Sequence, residues 1–321
     1  MNVPTLTTAR MILRAFTAQD VDPLHQILGG KDVLRYFPNP KPPSREQVQK
    51  LIAFQLEHWK NHRFGWWAVV LRETDELIGW CGLQFLPETG ETEVAYLLGR
   101  EHWGRGLATE AARVSLRYGF EDLGIERIIA LTHLENAASQ RVIEKLGLPF
   151  VDQAQYFGMA CRRYALARAD YGRARVIDET AQRARQYFAS RDYYCAESVL
   201  LAMAEAHGIQ SDFIPRIATG FCSGVARTCR TCGAVSGAIM GLSLLKGRSA
   251  PGAPVDEYYA LVRELLERFE DKFGSMNCEE LTGCDLGTQE GQAFFRANDV
   301  LEQCLRYTEE ATRIAMALIE G

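Results

Sequence analysis

The sequence predicts two domains, an α/β domain followed by an all-α, cysteine-rich helical bundle, and three observations carry that prediction. At 321 residues the chain has passed the size at which a single hydrophobic core usually gives way to two. Alternating, strand-like segments dominate before Arg168, whereas helical periodicity dominates after Ala174. Cysteine is also unevenly spread: Cys81 and Cys161 lie in the first half, and Cys195, Cys222, Cys229, Cys232, Cys278, Cys284 and Cys304 in the remainder. A boundary between residues 168 and 178 follows, giving domains over 1–170 and 171–321.

Composition narrows the function classes. Hydrophobic residues make up 47% of the chain, enough to fill both cores, and the formal charge of -5 gives no overall attraction to a polyanion. The start, MNVPTLTTARMILRAF, alternates and lacks the basic region and long apolar segment of a signal peptide. The most apolar run, Cys232 to Leu245, is too short to span a bilayer. A soluble cytoplasmic protein is expected, one in which structural disulfides would be unusual.

In the first half, Thr8 to Arg14 alternates as an outer strand. Asp20 to Leu28 reads as a short helix, and Ser44 to Asn61 as a longer one that Ser44 caps, with Gln47 at the reciprocal position. Trp66 to Leu71, Leu77 to Phe85 and Thr92 to Leu98 form three strands separated by polar turns. Next comes GREHWGRGLA, residues 99–108, leading into a helix from Thr109 to Leu123. A glycine-rich connection at a helix start frees backbone N–H groups for a phosphate or pyrophosphate, although it equally serves as a plain turn. Its spacing excludes the dinucleotide fingerprint, and it lacks the lysine of a P-loop. Arg127 to Leu131 is a strand, His133 to Asn136 a loop, Ala137 to Leu146 a helix and Phe157 to Ala167 the last strand.

With TTARMILRAF, EVAYLLGREHWGRGLATEAARVSLRYGF and ENAASQRVIEKLGLPF in this order, residues 5–168 resemble the GNAT acetyltransferase superfamily, in the branch of the ribosomal-protein N-terminal acetyltransferases. The resemblance implies a mixed, mostly antiparallel central sheet and acetyl-CoA as cofactor. It assigns backbone amides over His102, Trp103, Gly104, Arg105, Gly106 and Leu107, with the helix start near Ala108, to the pyrophosphate. Asn136 and Ser139 fall in the second cofactor motif, toward the pantetheine arm and the adenosine phosphate. Glu101 departs from the glutamine or arginine of many members, and Ala95 replaces a glycine common before Tyr96.

Acetyl transfer from a thioester needs a neutral amine and a proton for the leaving thiolate. Glu93 matches a glutamate of this branch and is the candidate base, acting through water. A solvated strand carboxylate or a clamp on the substrate ammonium is the alternative. Tyr156 is the candidate acid, with an ordinary packed aromatic as the alternative. Trp59, Trp66, Trp67, Trp80 and Trp103 read chiefly as packing, and Cys81 as a small buried hydrophobe.

In the second half, Asp178 to His207 is mostly helical, and Pro215 to Phe221 is a short helical segment. Cys232 to Leu245 forms a helix whose Gly233, Gly237 and Gly241 line one face. Glycine costs a helix about 1 kcal/mol relative to alanine, so three on one face predict a closely packed neighbour and a central helix. Val255 to Phe273 and Phe294 to Ile319 are further helices, joined by a connection over residues 274–287 that contains Cys278 and Cys284. A four- or five-helix bundle is the natural architecture.

Cys232 begins a helix, where free N–H groups favour a thiolate and so a nucleophile or metal ligand. Cys229-x-x-Cys232 fits a dithiol and equally one knuckle of a zinc or iron–sulfur site. YYCAESVLL, TCGAVSGAIMGLSLLKG and FGSMNCEELTGCDL, within residues 185–315, resemble the family named for its C-GCAxxG-C-C cysteine pattern, described as redox-active. Here Gly233-Ala234 follows Cys232, so the motif is kept as Cys-Gly-Ala-x-x-Gly. The resemblance implies a functional set of Cys195, Cys232, Cys278 and Cys284, with Cys304 joining them, and Cys222 and Cys229 as additions. An iron–sulfur cluster is the expected occupant, with zinc, a metal-free dithiol and an inert thiol-rich core as alternatives.

The combined expectation is an N-acetyltransferase moving acetyl from acetyl-CoA to a primary amine, fused to a redox or iron–sulfur domain that regulates it or positions its substrate. The alternative is a redox or metal-binding protein whose first domain senses CoA. Expected partners are a small-molecule amine or peptide N-terminus, a redox partner and a second copy of the chain. Nucleic acid and membrane are not expected.

Overall fold

The alternating segments of the first half become an eight-stranded sheet in the structure, a computed structural model that describes residues 3–320. The strands are β1 (Leu6–Thr7), β2 (Met11–Arg14), β3 (Trp66–Leu71), β4 (Leu77–Leu86), β5 (Glu91–Leu98), β6 (Arg127–His133), β7 (Phe150–Tyr156) and β8 (Met159–Ala167). They lie in the order β1-β2-β3-β4-β5-β6-β8-β7. Every adjacent pair is antiparallel except β5 and β6, which run parallel and share one register pair, Glu93 with Ile129. Beyond that pair the two strands no longer meet, and a cleft opens between them.

Alternation along each strand separates two faces. Ala68, Val70, Trp80 and Leu97 pack under α1 (Val21–Leu28) and α2 (Arg45–His62). Trp67, Val69, Ile78 and Leu98 pack under α3 (Leu107–Arg117) and α4 (Ala137–Lys145). The Ser44 cap forms as expected: its Oγ accepts from the Gln47 amide at 3.3 Å, and Gln47 Oε1 accepts from the Ser44 amide at 2.7 Å. β7 has no counterpart in the sequence reading. It is the edge strand, its FVDQAQY sequence is mostly exposed, and it carries little apolar alternation. Phe157, expected to open the last strand, instead sits with Gly158 in the β7–β8 turn, with φ of 54° and 77°. Two successive positive φ values are those of a tight hairpin turn.

The chain divides into two units at Tyr171 and Gly172. α5 (Arg168–Ala189) carries it into the second, which continues with α6 (Cys195–Ala206), α7 (Gly233–Lys246), α8 (Asp256–Phe273), α9 (Cys278–Thr282), α10 (Gln289–Ala297) and α11 (Val300–Glu320). The helix expected over 178–207 is thus broken, with Arg191 at φ 66° in the gap. The connection expected over 274–287 contains α9, which Asn277 caps by accepting from the Glu279 and Glu280 amides. The last expected helix is likewise two, separated at Asn298 and Asp299.

α7 is the centre of this unit. Its Ala234, Val235, Ala238 and Leu242 are buried against Val199 and Met203 of α6, Leu265 and Phe269 of α8, and Ala311 and Ala315 of α11. The glycine face meets α6. A Cβ on Gly237 would lie 2.6 Å from the Ala196 carbonyl oxygen, and one on Gly241 would lie 2.4 Å from Met203 Sδ. Close approach of α6, by its backbone at Gly237 and by the Cys195 and Met203 side chains at Gly233 and Gly241, explains the small residues.

Candidate active site and thiol centre

The cleft between β5 and β6 has a volume of about 800 Å³. Glu93 enters it at the last point where the strands pair, and only 5% of the residue is exposed. Gln84, opposite it on β4, donates Nε2 to Glu93 Oε2 at 2.6 Å, and the Leu131 amide also donates to the carboxylate. Burial outweighs both donors and pushes the carboxyl up to about 7. A carboxyl near neutrality, with fixed partners and an open cleft before it, has the properties of a general base.

At the end of β5, a short 3-10 turn (Arg100–His102) leads through Trp103 to Gly104 and Gly106, with φ of 74° and 75°. Glycine takes such φ values without the Cβ penalty, so the loop can curl tightly into α3. Among the described residues, the amides of Gly104, Arg105, Gly106, Leu107 and Ala108 donate to no backbone carbonyl outside the helix. Together with the positive end of an 11-residue helix, they form a place for an anion. His102, Trp103, Gly104, Gly106, Leu107 and Ala108 line the cleft, whereas the Arg105 side chain turns back toward His102. Arg10 carries no local sequence signal that ties it to this loop. It donates to the Arg105 carbonyl at 2.9 Å and pairs with Glu110, in the first turn of α3, at 2.6 Å. Its place beside the loop depends on a contact across 95 residues, which no local pattern reveals.

Asn136 and Ser139 also line the cleft. Asn136 caps α4, its Oδ1 accepting from the Ser139 amide at 3.1 Å. Ser139 Oγ is 2.8 Å from the Tyr96 hydroxyl, and Tyr96 lines the same cleft. Burial keeps that phenol strongly protonated. Tyr156, by contrast, is not part of the lining and donates its hydroxyl to Glu91 Oε2 at 2.5 Å. Glu91 is also reached by Arg163, which pairs with Asp152.

In the second unit, Cys195, Cys232, Cys278 and Cys304 line one cavity of about 40 Å³. Cys284 is buried beside Thr282, to which its Sγ donates at 3.7 Å, and is not part of the lining. The segment from Arg230 to Cys232 is held against the start of α9: the Cys278 amide donates to Arg230, the Cys232 amide to Met276, and Thr231 bridges to Asn277. Residues Ser223 to Arg227 take a left-handed turn, with φ between 55° and 66°. Within it, a Cβ on Gly224 would lie 2.6 Å from Cys278 Cβ, so the turn closes directly over that cysteine. Cys222 lies against Cys195, and that contact, with burial, pushes its thiol up. Cys229 stands apart, donating to Asp285 Oδ1 at 3.0 Å, and that bond above all raises its thiol to about 12.

The sequence expects the helix start to favour a Cys232 thiolate. The Ala234 and Val235 amides do act in that direction, but burial is the larger effect and pushes the thiol up to about 12. Burial likewise lifts Cys278 to about 11 and raises Cys304. Among the described residues, no three cysteine sulfurs lie within 4.8 Å of one another. Thiolates around one tetrahedral zinc at 2.3 Å would be about 3.8 Å apart, so the spacing here is wider than a single zinc needs. Among the described residues, no helix is long and apolar enough to cross a membrane.

Residues 10–149 match the family described as "Acetyltransferase (GNAT) domain", and residues 193–318 the one described as "Putative redox-active protein (C_GCAxxG_C_C)". The chain is 36% identical to the uncharacterized N-acetyltransferase p20 of Bacillus licheniformis over 148 residues, 44% of this chain and 80% of the relative. It is 34% identical to the uncharacterized N-acetyltransferase YoaA of Bacillus subtilis over 145 residues, 45% of this chain and 82% of the relative. A crystal structure of an acetyltransferase from Agrobacterium tumefaciens superposes with a TM-score of 0.47 at 25% identity, covering 52% of this chain and 95% of that one. The chain belongs to the GNAT acetyltransferase superfamily, and its acetyltransferase domain is fused to a cysteine-rich domain of the C_GCAxxG_C_C family.

Proposed function

We propose that the first domain transfers acetyl from acetyl-CoA to a primary amine, on a small molecule or a peptide N-terminus, with Glu93 as general base. The observation that carries this reading is a carboxyl buried at the mouth of the strand opening and poised at about 7. The amides from Gly104 to Ala108 hold the pyrophosphate, and the N-acetyltransferase names of the similar Bacillus proteins support an amine acceptor.

Glu93 takes a proton from the incoming ammonium, through a water. The neutral nitrogen then attacks the thioester carbonyl, its lone pair forming the C–N bond while the carbonyl π pair moves to oxygen. Collapse of that tetrahedral species breaks the C–S bond and expels the CoA thiolate. Tyr156 donates its hydroxyl hydrogen bond to Glu91, so we assign protonation of the thiolate to the Tyr96–Ser139 hydroxyl pair. The surplus proton that the attacking nitrogen still carries leaves to water and restores that pair, and Glu93 returns its own proton to solvent, so the products are the acetamide, CoA thiol and one proton.

We further propose that the second domain holds an iron–sulfur cluster, with Cys232 and Cys278 among its ligands, Cys195 and Cys304 completing the cavity's sulfur wall, and Cys284 joining them by turning its Sγ away from Thr282. An all-sulfur, largely buried donor set, spaced more widely than one zinc requires, suits such a cluster. A cluster there would supply one-electron chemistry. The residues themselves exclude water and, through the left-handed turn over Cys278, shield the sulfurs.

Calorimetry with acetyl-CoA, followed by CoA-release assays against amines and peptide N-termini, tests the first proposal. Absence of binding would sink it, and binding without turnover on any amine class would favour a CoA sensor. Anaerobic isolation with iron and sulfide analysis tests the second, which fails if neither is retained after reconstitution. Control of transfer by the thiol domain requires acetylation kinetics that change on oxidation or cluster removal.

A further inference from the structure

His102 is 94% buried by complement of its 6% exposure, yet its Nε2 has no hydrogen-bond partner among the described residues. The nitrogen is aimed at two carboxylates, with Glu76 Oε1 and Glu101 Oε1 each 3.6 Å away. Neither carboxylate pairs with a lysine or arginine among the described residues. All three atoms fall within 4.8 Å of one another.

The fold brings these groups together. β4 and β5 pair Gly79 with Leu98, and the Gly99 amide donates to the Ile78 carbonyl, which brings the turn carrying Glu101 beside Glu76, just before β4. Carboxylate oxygens within 4.8 Å of each other repel unless something neutralises them. Gly99 permits the arrangement, since a Cβ there would lie 2.7 Å from Glu101 Oε1 and displace the carboxylate. The 3-10 turn then points the His102 ring back over both.

The distances favour a bridging cation over hydrogen bonds. At 3.6 Å the contacts exceed the hydrogen-bond range of about 2.7–3.2 Å. Two ligands of a tetrahedral metal at about 2.0–2.2 Å would stand about 3.4 Å apart, within a few tenths of what is found. One imidazole and two carboxylates suit zinc or another divalent transition ion, with a further position left for water.

We infer that Glu76, Glu101 and His102 form a divalent transition-metal site, zinc being the expected ion, separate from the thiol centre. Metal on Nε2 requires the proton on Nδ1, which now faces Arg105 Nη1 at 3.5 Å. Two donors would then oppose each other, so metal binding releases the Arg105 guanidinium from the ring. The site would thus join the β3–β4 turn to the start of the glycine loop and alter the charge beside it.

The test uses the full chain, stripped of metal and kept reduced, titrated with ZnCl2 by calorimetry. Wild type is compared with Glu76→Gln/Glu101→Gln, whose substituted side chains are 52% and 64% exposed and whose fold is checked by circular dichroism. The thiols are present in both proteins, so the difference isolates this site. The expected result is one fewer zinc equivalent in the variant, or at least a tenfold weaker one. In a CoCl2 titration, the lost equivalent should show ligand-field absorption without a sulfur-to-cobalt charge-transfer band. Equal stoichiometry and affinity would overturn the inference, as would a lost equivalent bearing the sulfur band.

Discussion

Glu93→Gln separates the two consequences of burying a carboxyl in the cleft. Glutamine retains the shape and a carbonyl that accepts from Gln84 or the Leu131 amide, but it cannot take a proton from the amine. General-base catalysis typically contributes about 10²–10⁴-fold, so kcat should fall by that factor, about 3–5 kcal/mol of barrier. Affinity for acetyl-CoA should change little. With its carboxyl at about 7, wild-type kcat/KM should rise about tenfold between about pH 6 and about pH 8, and the variant should lose that limb. An unchanged limb, or a rate within about threefold of wild type, would refute the assignment of the base.

The same residue makes an opposite prediction for stability. Lifting the carboxyl from an ordinary 4.5 to about 7 costs the native state up to about 3 kcal/mol once both states are ionised. The protonated carboxyl is favoured by the folded state, so its relative stabilisation is complete below 4.5 and is lost as pH rises through about 7. Glu93→Gln should therefore match wild type in acid and become the more stable protein above neutrality. All five tryptophans, Trp59, Trp66, Trp67, Trp80 and Trp103, lie in the first domain, so their fluorescence follows its urea unfolding separately. A stability gap that shrinks with rising pH would contradict the sign.

Three further outcomes are expected. Arg10→Ala should weaken acetyl-CoA binding by up to about fivefold in calorimetry, with kcat nearly unchanged, because the Arg10–Glu110 pair at 2.6 Å is partly exposed and steadies only the loop. Gly237→Ala should destabilise the helical unit by about 1–3 kcal/mol, read by far-ultraviolet circular dichroism in denaturant; the new Cβ would press on Ala196 backbone atoms at 2.6 and 2.9 Å. That strain should outweigh alanine's gain of about 1 kcal/mol in helix propensity. Cys278→Ser should abolish retention of iron and sulfide after reconstitution, whereas Cys229→Ser, at a thiol bonded to Asp285, should leave both in place.

Elements with a strong apolar repeat were legible. β3, β4 and β5 alternate into two cores, and the spacing of Gly233, Gly237 and Gly241 anticipated the close approach of α6. β7 was hidden because an exposed edge strand needs no regular apolar face, and the gap before α6 because Arg191 carries no strong turn signal. Within the cleft, Glu93 was legible through the resemblance to the ribosomal-protein N-terminal acetyltransferase branch, which matches it to a glutamate on the strand before the glycine loop. The hydroxyl facing that cleft was harder to find. Tyr96 and Ser139 are 43 residues apart and meet only because β5 and α4 flank the same opening, whereas Tyr156 is drawn to Glu91 across an adjacent part of the sheet. Arg10 depends on a similarly distant contact, and so does the approach of Glu76 to His102, whereas Glu101 is the chain neighbour of that histidine.

Cys232 shows where a local rule meets a larger tertiary effect. A helix start favours an anion by about 0.3–1 kcal/mol, and up to about 2 in partly buried geometries. Raising this thiol from an ordinary 9.0 to about 12 corresponds to about 4 kcal/mol against the thiolate, so burial wins even though two amides act on the sulfur. Cys278 follows the same logic at about 11. Neighbouring thiolates would also repel one another, which adds to the cost of ionising more than one. Cys232 and Cys278 are therefore not intrinsically reactive nucleophiles. Under the proposed cluster reading they would give up their protons only as a positive charge arrived to replace them, so that metal loading, rather than the helix terminus alone, would set their chemistry.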